Sequence, residues 1–153
     1  MIEYVQADIT TAPHTFIAHG CNARGKMGSG VAKALRNKWP EIYQPYIDHL
    51  KNTPNPMGTF VPVWVGGKCI ANCITQEFYG YDGKRYADPI AIHLSLEGFI
   101  RYIGPDQHFF GASIAISEIG CTLGGLSWED DVEPVITSLC HQFQNISFTV
   151  FKI

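Results

Sequence analysis

The chain has 153 residues with 11 basic and 14 acidic side chains, a net charge of −3, and 46% hydrophobic against 16% charged residues. That balance excludes a disordered chain and gives no general basic face for duplex nucleic acid. The length suits one domain, expected over 1–153, with enough chain for a real core. No apolar stretch approaches the ~20 residues of a membrane span. The start, Met1 to Gln6, has no basic region leading into an apolar run, so a cytosolic monomer is expected.

Cys21, Cys69, Cys73, Cys121 and Cys140 are odd in number and form no C-x-x-C. This argues against a zinc site or a disulfide framework, and most of the five read as small buried hydrophobes. No acidic or His/Cys grouping calls for a metal, so none is expected, nor is a cofactor.

Ile2 to Gln6 reads as a strand, followed by Asp8 and Ile9. Asp8 by itself reads as a turn or helix-cap residue. Thr15 to His19 is an apolar run that reads as a buried strand. A loop with Gly25, Gly28 and Gly30 follows, then a helix with Val31, Leu35 and Trp39 on its apolar face. Glycines between a strand and a helix let backbone N–H groups approach an anion, and the helix N-terminus adds partial positive charge. Lys26 precedes the glycine pair, unlike a Walker loop, and no third glycine completes a dinucleotide fingerprint. A tight structural turn is the plain alternative. Asn22 beside the loop has an amide suited to a sugar hydroxyl.

Pro40 stops the first helix and can start the next, whose apolar positions are Tyr43, Tyr46, Ile47 and Leu50. Pro45 predicts a kink or a late start there. Gly58 to Val65 and Lys68 to Thr75, separated by Gly66-Gly67, predict a β-hairpin. Pro62 suggests that its first strand is an edge or bulged strand, and the apolar second strand fits the centre of a sheet. Gln76 to Ala87 is a polar loop carrying Phe78, Tyr79, Tyr81 and Tyr86. It is either an ordinary surface loop or part of a ligand site after a central strand.

Asp88-Pro89 opens a helix with Ile92, Leu96, Phe99 and Ile103 inward, ended by Gly104-Pro105; His93 reads as a surface or packing residue. Ala112 to Ile116 is a further buried strand, and Ile119 to Leu126 a second glycine loop. Two such loops could clamp a diphosphate from both sides. A helix starting near Asp130, with Asp130 and Glu133 as a capping box, and a last strand over Ile146 to Ile153 complete the chain. Alternating strands and helices predict an α/β, three-layer α/β/α sandwich with a central six-stranded mixed sheet and three main helices.

His19-Gly-Cys-Asn22 with Met27-Gly-Ser-Gly-Val-Ala-Lys-Ala-Leu35 resembles the first ligand loop of a macro domain, the ADP-ribose-binding module. Gln6-Ala-Asp-Ile9, Ile119-Gly-Cys-Thr-Leu-Gly-Gly125 and Ser147-Phe-Thr-Val-Phe151 match the same family in order, so the resemblance spans nearly the whole chain. It implies that Asp8 and backbone at Ile9 read adenine and that Phe151 stacks on it, although strand packing is an equal reading for Phe151. It implies that Met27, Gly28, Ser29, Gly30 and Val31 oppose Ile119, Gly120, Cys121, Thr122, Leu123 and Gly124 across the diphosphate. Asn22 would orient the distal ribose.

One hydrolytic branch of the family uses a lysine and an aspartate, whose positions are Gln76 and Gly124 here. An amide cannot form a Schiff base, and glycine offers no acid or base. Lys84 is the residual lysine, at an offset that does not match. The opening and closing motifs look closer to yeast-type and phage-type ADP-ribose 1''-phosphate phosphatases, where His19 is the candidate catalytic group together with Asn22; a hydrogen-bonded core histidine is the alternative. The expected ligand is ADP-ribose or ADP-ribose 1''-phosphate. A mono-ADP-ribosyl glycohydrolase and a non-catalytic ADP-ribose reader are the competing functions.

Overall fold

The computed structural model describes residues 1–104 and 111–153. Its strands are β1 (Ile2–Gln6), β2 (Phe16–Asn22), β3 (Phe60–Val65), β4 (Lys68–Gln76), β5 (Ser113–Ile116) and β6 (Ser147–Lys152). Its α-helices are α1 (Gly30–Lys38), α2 (Tyr43–Asn52), α3 (Pro89–Ile103) and α4 (Glu133–Gln142). The strands form one sheet in the order β1-β6-β5-β2-β4-β3. Only β3 runs antiparallel to its neighbour; every other pair is parallel. The loops that leave the carboxyl ends of the five parallel strands therefore gather at one end of the sheet, where open α/β sheets hold their ligands.

Residues alternate across β2 and β4. Phe16, Ala18, Cys69, Ala71 and Cys73 face α3 and α4, with Ile92, Leu96, Phe99, Ile136 and Leu139. Ile17, Cys21, Ile70 and Ile74 face α1 and α2, with Leu35, Ile42 and Tyr46. The sandwich is thus three layers deep, with the mixed sheet in the middle. No helix among the described residues is long and apolar enough to cross a membrane.

Four α-helices stand where three main ones were expected. The helix expected after Pro40 is α2, as substantial as α1: Pro40 opens a short 3₁₀ turn over Pro40–Ile42, and α2 begins late enough that Pro45 falls in its first turn. A proline there breaks no intrahelical bond. The hairpin turns on Gly66 and Gly67 at φ 54° and 80°, the double positive φ of a type I′ turn. Pro62 lies on β3, which is the sheet edge.

The cap of the last helical segment differs from expectation. Ser127, not Asp130, is the N-cap: its hydroxyl accepts from Asp130 N at 3.2 Å, and Asp131 Oδ2 accepts from Ser127 N at 2.8 Å. A π-helical turn over Trp128–Val132 then leads into α4 at Glu133, with Pro134 still in the first turn of that helix. His93 lies on the outer side of α3 beside Glu97, 3.3 Å away. Gly104 caps α3, while Pro105 lies outside the described residues.

α3 is the longest helix and covers the centre of the sheet, so its start matters most. Asp88 accepts from Ile90 N at 3.0 Å, with Pro89 at the first helical position. Asp88→Ala should lower stability by about 0.5–2 kcal/mol, read as a reduced urea midpoint with an unchanged slope.

Candidate functional site

A cleft of about 570 Å³ opens at the carboxyl end of the parallel strands. Asp8 and Ile9 after β1, and Phe151 to Ile153 at the end of β6, wall one end. Ser29, Gly30 and Val31 at the start of α1 stand on one side, and the loop from Ser117 to Gly124 after β5 on the other. The end of β4, with Thr75 and Gln76, and the following Tyr79 and Tyr81 close the far end.

Asp8 is both a cap and a cleft residue. Its Oδ1 accepts from Thr10 N at 2.9 Å and from Thr10 Oγ1 at 2.8 Å. These bonds, the backbone one foremost and Lys38 adding a smaller attraction, hold its carboxyl below the usual aspartate range. Asp8 is therefore ionised at neutral pH, and Oδ2 takes no part in the capping bonds. Phe151 is 7% exposed and packs edge-on against His14, with ring centroids 5.6 Å apart. It belongs to the core and to the cleft wall at once.

The two glycine loops line the same cleft. A side chain on Gly30 would touch Leu123 Cδ1 at 3.5 Å, and Gly30 has φ 62° at the first position of α1. The N-cap Ser29 makes no side-chain capping bond, so its hydroxyl is not spent on the helix. The first-turn N–H groups of α1 have no intrahelical acceptor, and the helix dipole adds about +0.5 charge there. Lys26 is exposed on the same rim. This side of the cleft suits an anion. Met27 and Gly28 do not line the main cleft; they line an adjoining pocket of about 330 Å³ with Arg36 and Tyr43. That pocket shares Asn22, Lys26, Ser29, Tyr79 and Tyr81 with the cleft.

His19 does not reach the cleft. It is fully buried, with Nε2 2.6 Å from Asn72 Oδ1, and Asn72 Nδ2 in turn donates to Ile42 O at 3.0 Å. Burial pushes the imidazole down to about 4, against a smaller upward effect of the Asn72 bond. A neutral imidazole shielded from the cleft cannot hand a proton to a substrate there, so the expectation of His19 as a direct acid or base is corrected. The strand's alternation explains it. His19 lies on the α1/α2 face with Cys21, while Gly20 lies on the opposite face beside Thr75 and Ile119. Cys21 does line the cleft, with Sγ 3.7–3.8 Å from the His19 ring nitrogens, and burial pushes its thiol well above the ordinary range.

Asn22 lies in the cleft wall but works mainly within its own loop. Its Nδ2 donates to Lys26 O at 2.8 Å, and its Oδ1 accepts from Arg24 N at 3.0 Å and Lys26 N at 3.2 Å. Tyr46 Oη donates to Asn22 O at 2.5 Å. The amide thus ties the loop into shape, and one of its two hydrogens is left over for a ligand.

Gln76 and Gly124 both line the cleft. Gln76 Nε2 donates to Phe78 O at 2.7 Å. A side chain on Gly124 would run into the Gly120 carbonyl and meet Ala87 Cβ at 2.9 Å, so this backbone has no room for an aspartate there. Lys84 is exposed beside Asp82 at 3.7 Å and is not part of the cleft wall. Among the described residues, no group of three or more His, Cys, Asp or Glu side chains is placed to hold a metal ion.

Sequence reasoning did not single out Gly20, Thr75, Ser117, Glu118 or Lys152, all of which line the cleft. Their shared signal is position: each stands at or just past the carboxyl end of a parallel strand. Tyr79 and Tyr81 had a signal of their own, the aromatic run after the central strand.

Comparison with known proteins agrees with this architecture. The Macro domain family model matches residues 18–135, and the chain belongs to that family. It is 31% identical over 166 residues to the ADP-ribose 1''-phosphate phosphatase of Candida albicans, with 100% of both chains covered. It is 26% identical over 155 residues to the DNA ADP-ribosyl glycohydrolase of Mycobacterium tuberculosis, covering 99% of this chain but only 42% of that protein. Among solved structures, the macrodomain of Mycobacterium tuberculosis DarG aligns with a TM-score of 0.83 at 25% identity, over 100% of this chain and 98% of that one.

The state of His19 gives a pH prediction. The unfolded histidine titrates near 6.5 and the folded one near 4, so between these values the unfolded chain binds more protons. Stability should therefore fall as pH drops through that window, by at most about 3 kcal/mol from this group. Urea denaturation at pH 7 and pH 4 checks it. A folded His19→Gln variant should lose clearly less stability over the same interval.

Proposed function

We propose that the cleft binds the ADP-ribose unit and that the protein hydrolyses ADP-ribose 1''-phosphate to ADP-ribose and inorganic phosphate. The observation that carries this is that both glycine loops, with Gly30 and Leu123, line one cleft that has an ionised Asp8 at its end. The full-length match to the Candida albicans phosphatase supports the choice of reaction.

In this reading Asp8 Oδ2 accepts from the adenine amino group, backbone at Ile9 reads the neighbouring ring nitrogen, and Phe151 presents its ring edge or face to the base. The start of α1 and the loop from Ile119 to Gly124 hold the diphosphate. Water attacks the terminal phosphorus, the bond from phosphorus to the sugar oxygen breaks, and a proton returns to that oxygen. Phosphoryl transfer is catalysed chiefly by positioning and charge stabilisation, which backbone N–H groups and a helix N-terminus supply without a side-chain acid. His19 acts behind the cleft, through Asn72, as part of the scaffold.

A second reading, removal of ADP-ribose from a macromolecule, is favoured by one feature. The adjoining pocket gives space beyond the cleft, with the Arg36 guanidinium stacked 3.5 Å from the centre of the Tyr43 ring. Gln76 and Gly124 oppose the lysine-dependent form of that chemistry. Mass spectrometry after incubation with an ADP-ribosylated substrate should show no sugar adduct on the protein; an adduct on Lys84 would contradict this.

The deciding experiment sets purified protein against ADP-ribose 1''-phosphate and an ADP-ribosylated protein side by side. Phosphate release from the first alone is expected. Release of ADP-ribose from the second alone would favour the glycohydrolase, and binding without either product a reader. Asp8→Ala should weaken ADP-ribose binding in calorimetry by about 1–3 kcal/mol, and an inosine analogue should bind the unsubstituted protein comparably poorly. Equal affinity for both bases would remove Asp8 from base recognition.

A further inference from the structure

The pocket of about 330 Å³ that adjoins the cleft would suit many groups by its volume. Its lining is more selective. Lys26 and Arg36 line it, and no aspartate or glutamate does. A pocket walled by one sign of charge concentrates ligands of the other.

Both cations are uncommitted. Arg24, Lys84, Arg85, Arg101 and Lys152 each stand within 4.0 Å of a carboxylate. Among the described residues, the Lys26 ammonium and the Arg36 guanidinium have no such partner. The Ser29 hydroxyl, unused by its helix, and the spare amide hydrogen of Asn22 border the same pocket.

Arg36 is nevertheless held in place. Its guanidinium carbon lies 3.5 Å from the centre of the Tyr43 ring, so the planar group rests on the ring face. The ring is itself tied down, because Tyr43 Oη donates to Gly25 O at 2.8 Å. Stacking uses the face of a guanidinium and leaves its N–H donors, which point outward in the plane, for an acceptor. Arg36 follows the N-cap Ser29 by two turns along one side of α1. Helical side chains lean toward the N-terminus, so the guanidinium is carried back toward the end of α1 that borders the cleft.

Charge therefore changes sign along the site. The ionised Asp8 stands at one end of the cleft, and the two cations stand where the cleft runs into the pocket. A ligand with an amine at one end and a further anion beyond its diphosphate matches that order.

We propose that this pocket is a phosphate site, in which the Arg36 guanidinium and the Lys26 ammonium bind a phosphate carried on the distal ribose. Arg36 then sets a preference for ADP-ribose 1''-phosphate over ADP-ribose. The assignment rests on the reading of the cleft as an ADP-ribose site. Arg36 presents paired N–H donors to two phosphate oxygens, and Lys26 adds a point charge. A phosphate there accounts for the pocket without a macromolecule in it.

The test uses Arg36→Gln and Lys26→Ala, which remove the two charges separately. It reads phosphate release from ADP-ribose 1''-phosphate and the inhibition of that reaction by ADP-ribose. Arg36→Gln should lower kcat/KM by about 10- to 100-fold, and Lys26→Ala by about 2- to 5-fold. The inhibition constant of ADP-ribose, which lacks this phosphate, should not change. Arg36→Lys should restore part of the loss, since it keeps the charge without the fork. Unchanged kcat/KM in folded Arg36→Gln overturns the assignment. So does an equal loss of affinity for ADP-ribose, since the glycine loop and not the phosphate would then have been disturbed. Lys26 is exposed, so Lys26→Ala decides in the same way if Arg36→Gln does not fold. If the unsubstituted protein binds ADP-ribose but releases no phosphate, calorimetry with ADP-ribose 1''-phosphate takes over. Tighter binding than ADP-ribose, lost in Arg36→Gln, keeps the phosphate site while the reaction falls; equal binding overturns the site. If neither compound binds, the ADP-ribose reading of the cleft falls, and this assignment with it.

Discussion

Five strands that run the same way impose a single direction on everything that follows them. Each parallel strand must deliver its chain to the same end of the sheet before the chain can turn back through a helix. Asp8, the loop of Asn22, Thr75, the loop of Gly120 and Phe151 come from segments far apart in the chain, and this constraint alone makes them neighbours. The antiparallel hairpin at the edge, β3 with β4, leaves the arrangement intact because it adds its turn at the opposite end.

Close approach is the second requirement. Gly30 takes a positive φ of 62° at the start of α1, and a side chain on Gly20 would stand only 2.8 Å from Thr75 Oγ1. Gly124 is a different case: the space its side chain would need is filled by Gly120 and Ala87. The residue type there is dictated by backbone packing, so the absence of an acid at this position is a property of this loop's path.

The region behind the cleft is held by polar contacts inside an apolar layer. Asn72 joins β4 to His19 on β2 and to the Ile42 carbonyl before α2. Tyr46 on α2 reaches the Asn22 carbonyl in the same layer. Buried polar groups satisfied in this way specify one arrangement of strands and helices. They also fix the first glycine loop, because Asn22 is bonded at both its side chain and its backbone.

The strands, the hairpin with its Gly66-Gly67 turn, the two glycine loops and the family were legible in the residues themselves. Hydrophobic period, glycine and proline are local signals, and the elements they announce form in nearly any context that buries them. The count of helices was less legible, since Pro45 reads alike as a breaker and as a first-turn residue until the preceding turn is known. A place in the cleft wall was legible for Asp8, Ser29, Gly30 and Phe151 because motif and position coincide. It was not legible for His19, where a histidine three residues from the end of a strand faces the core or the ligand according to the strand's phase. Nor was it for Thr75, whose place depends on a one-residue bulge between β2 and β4. Sequence determined which segments are strands, helices and glycine loops, because those depend on neighbours in the chain. Tertiary structure alone decided which side chains share the cleft, because strand phase, bulges and burial depend on neighbours in space.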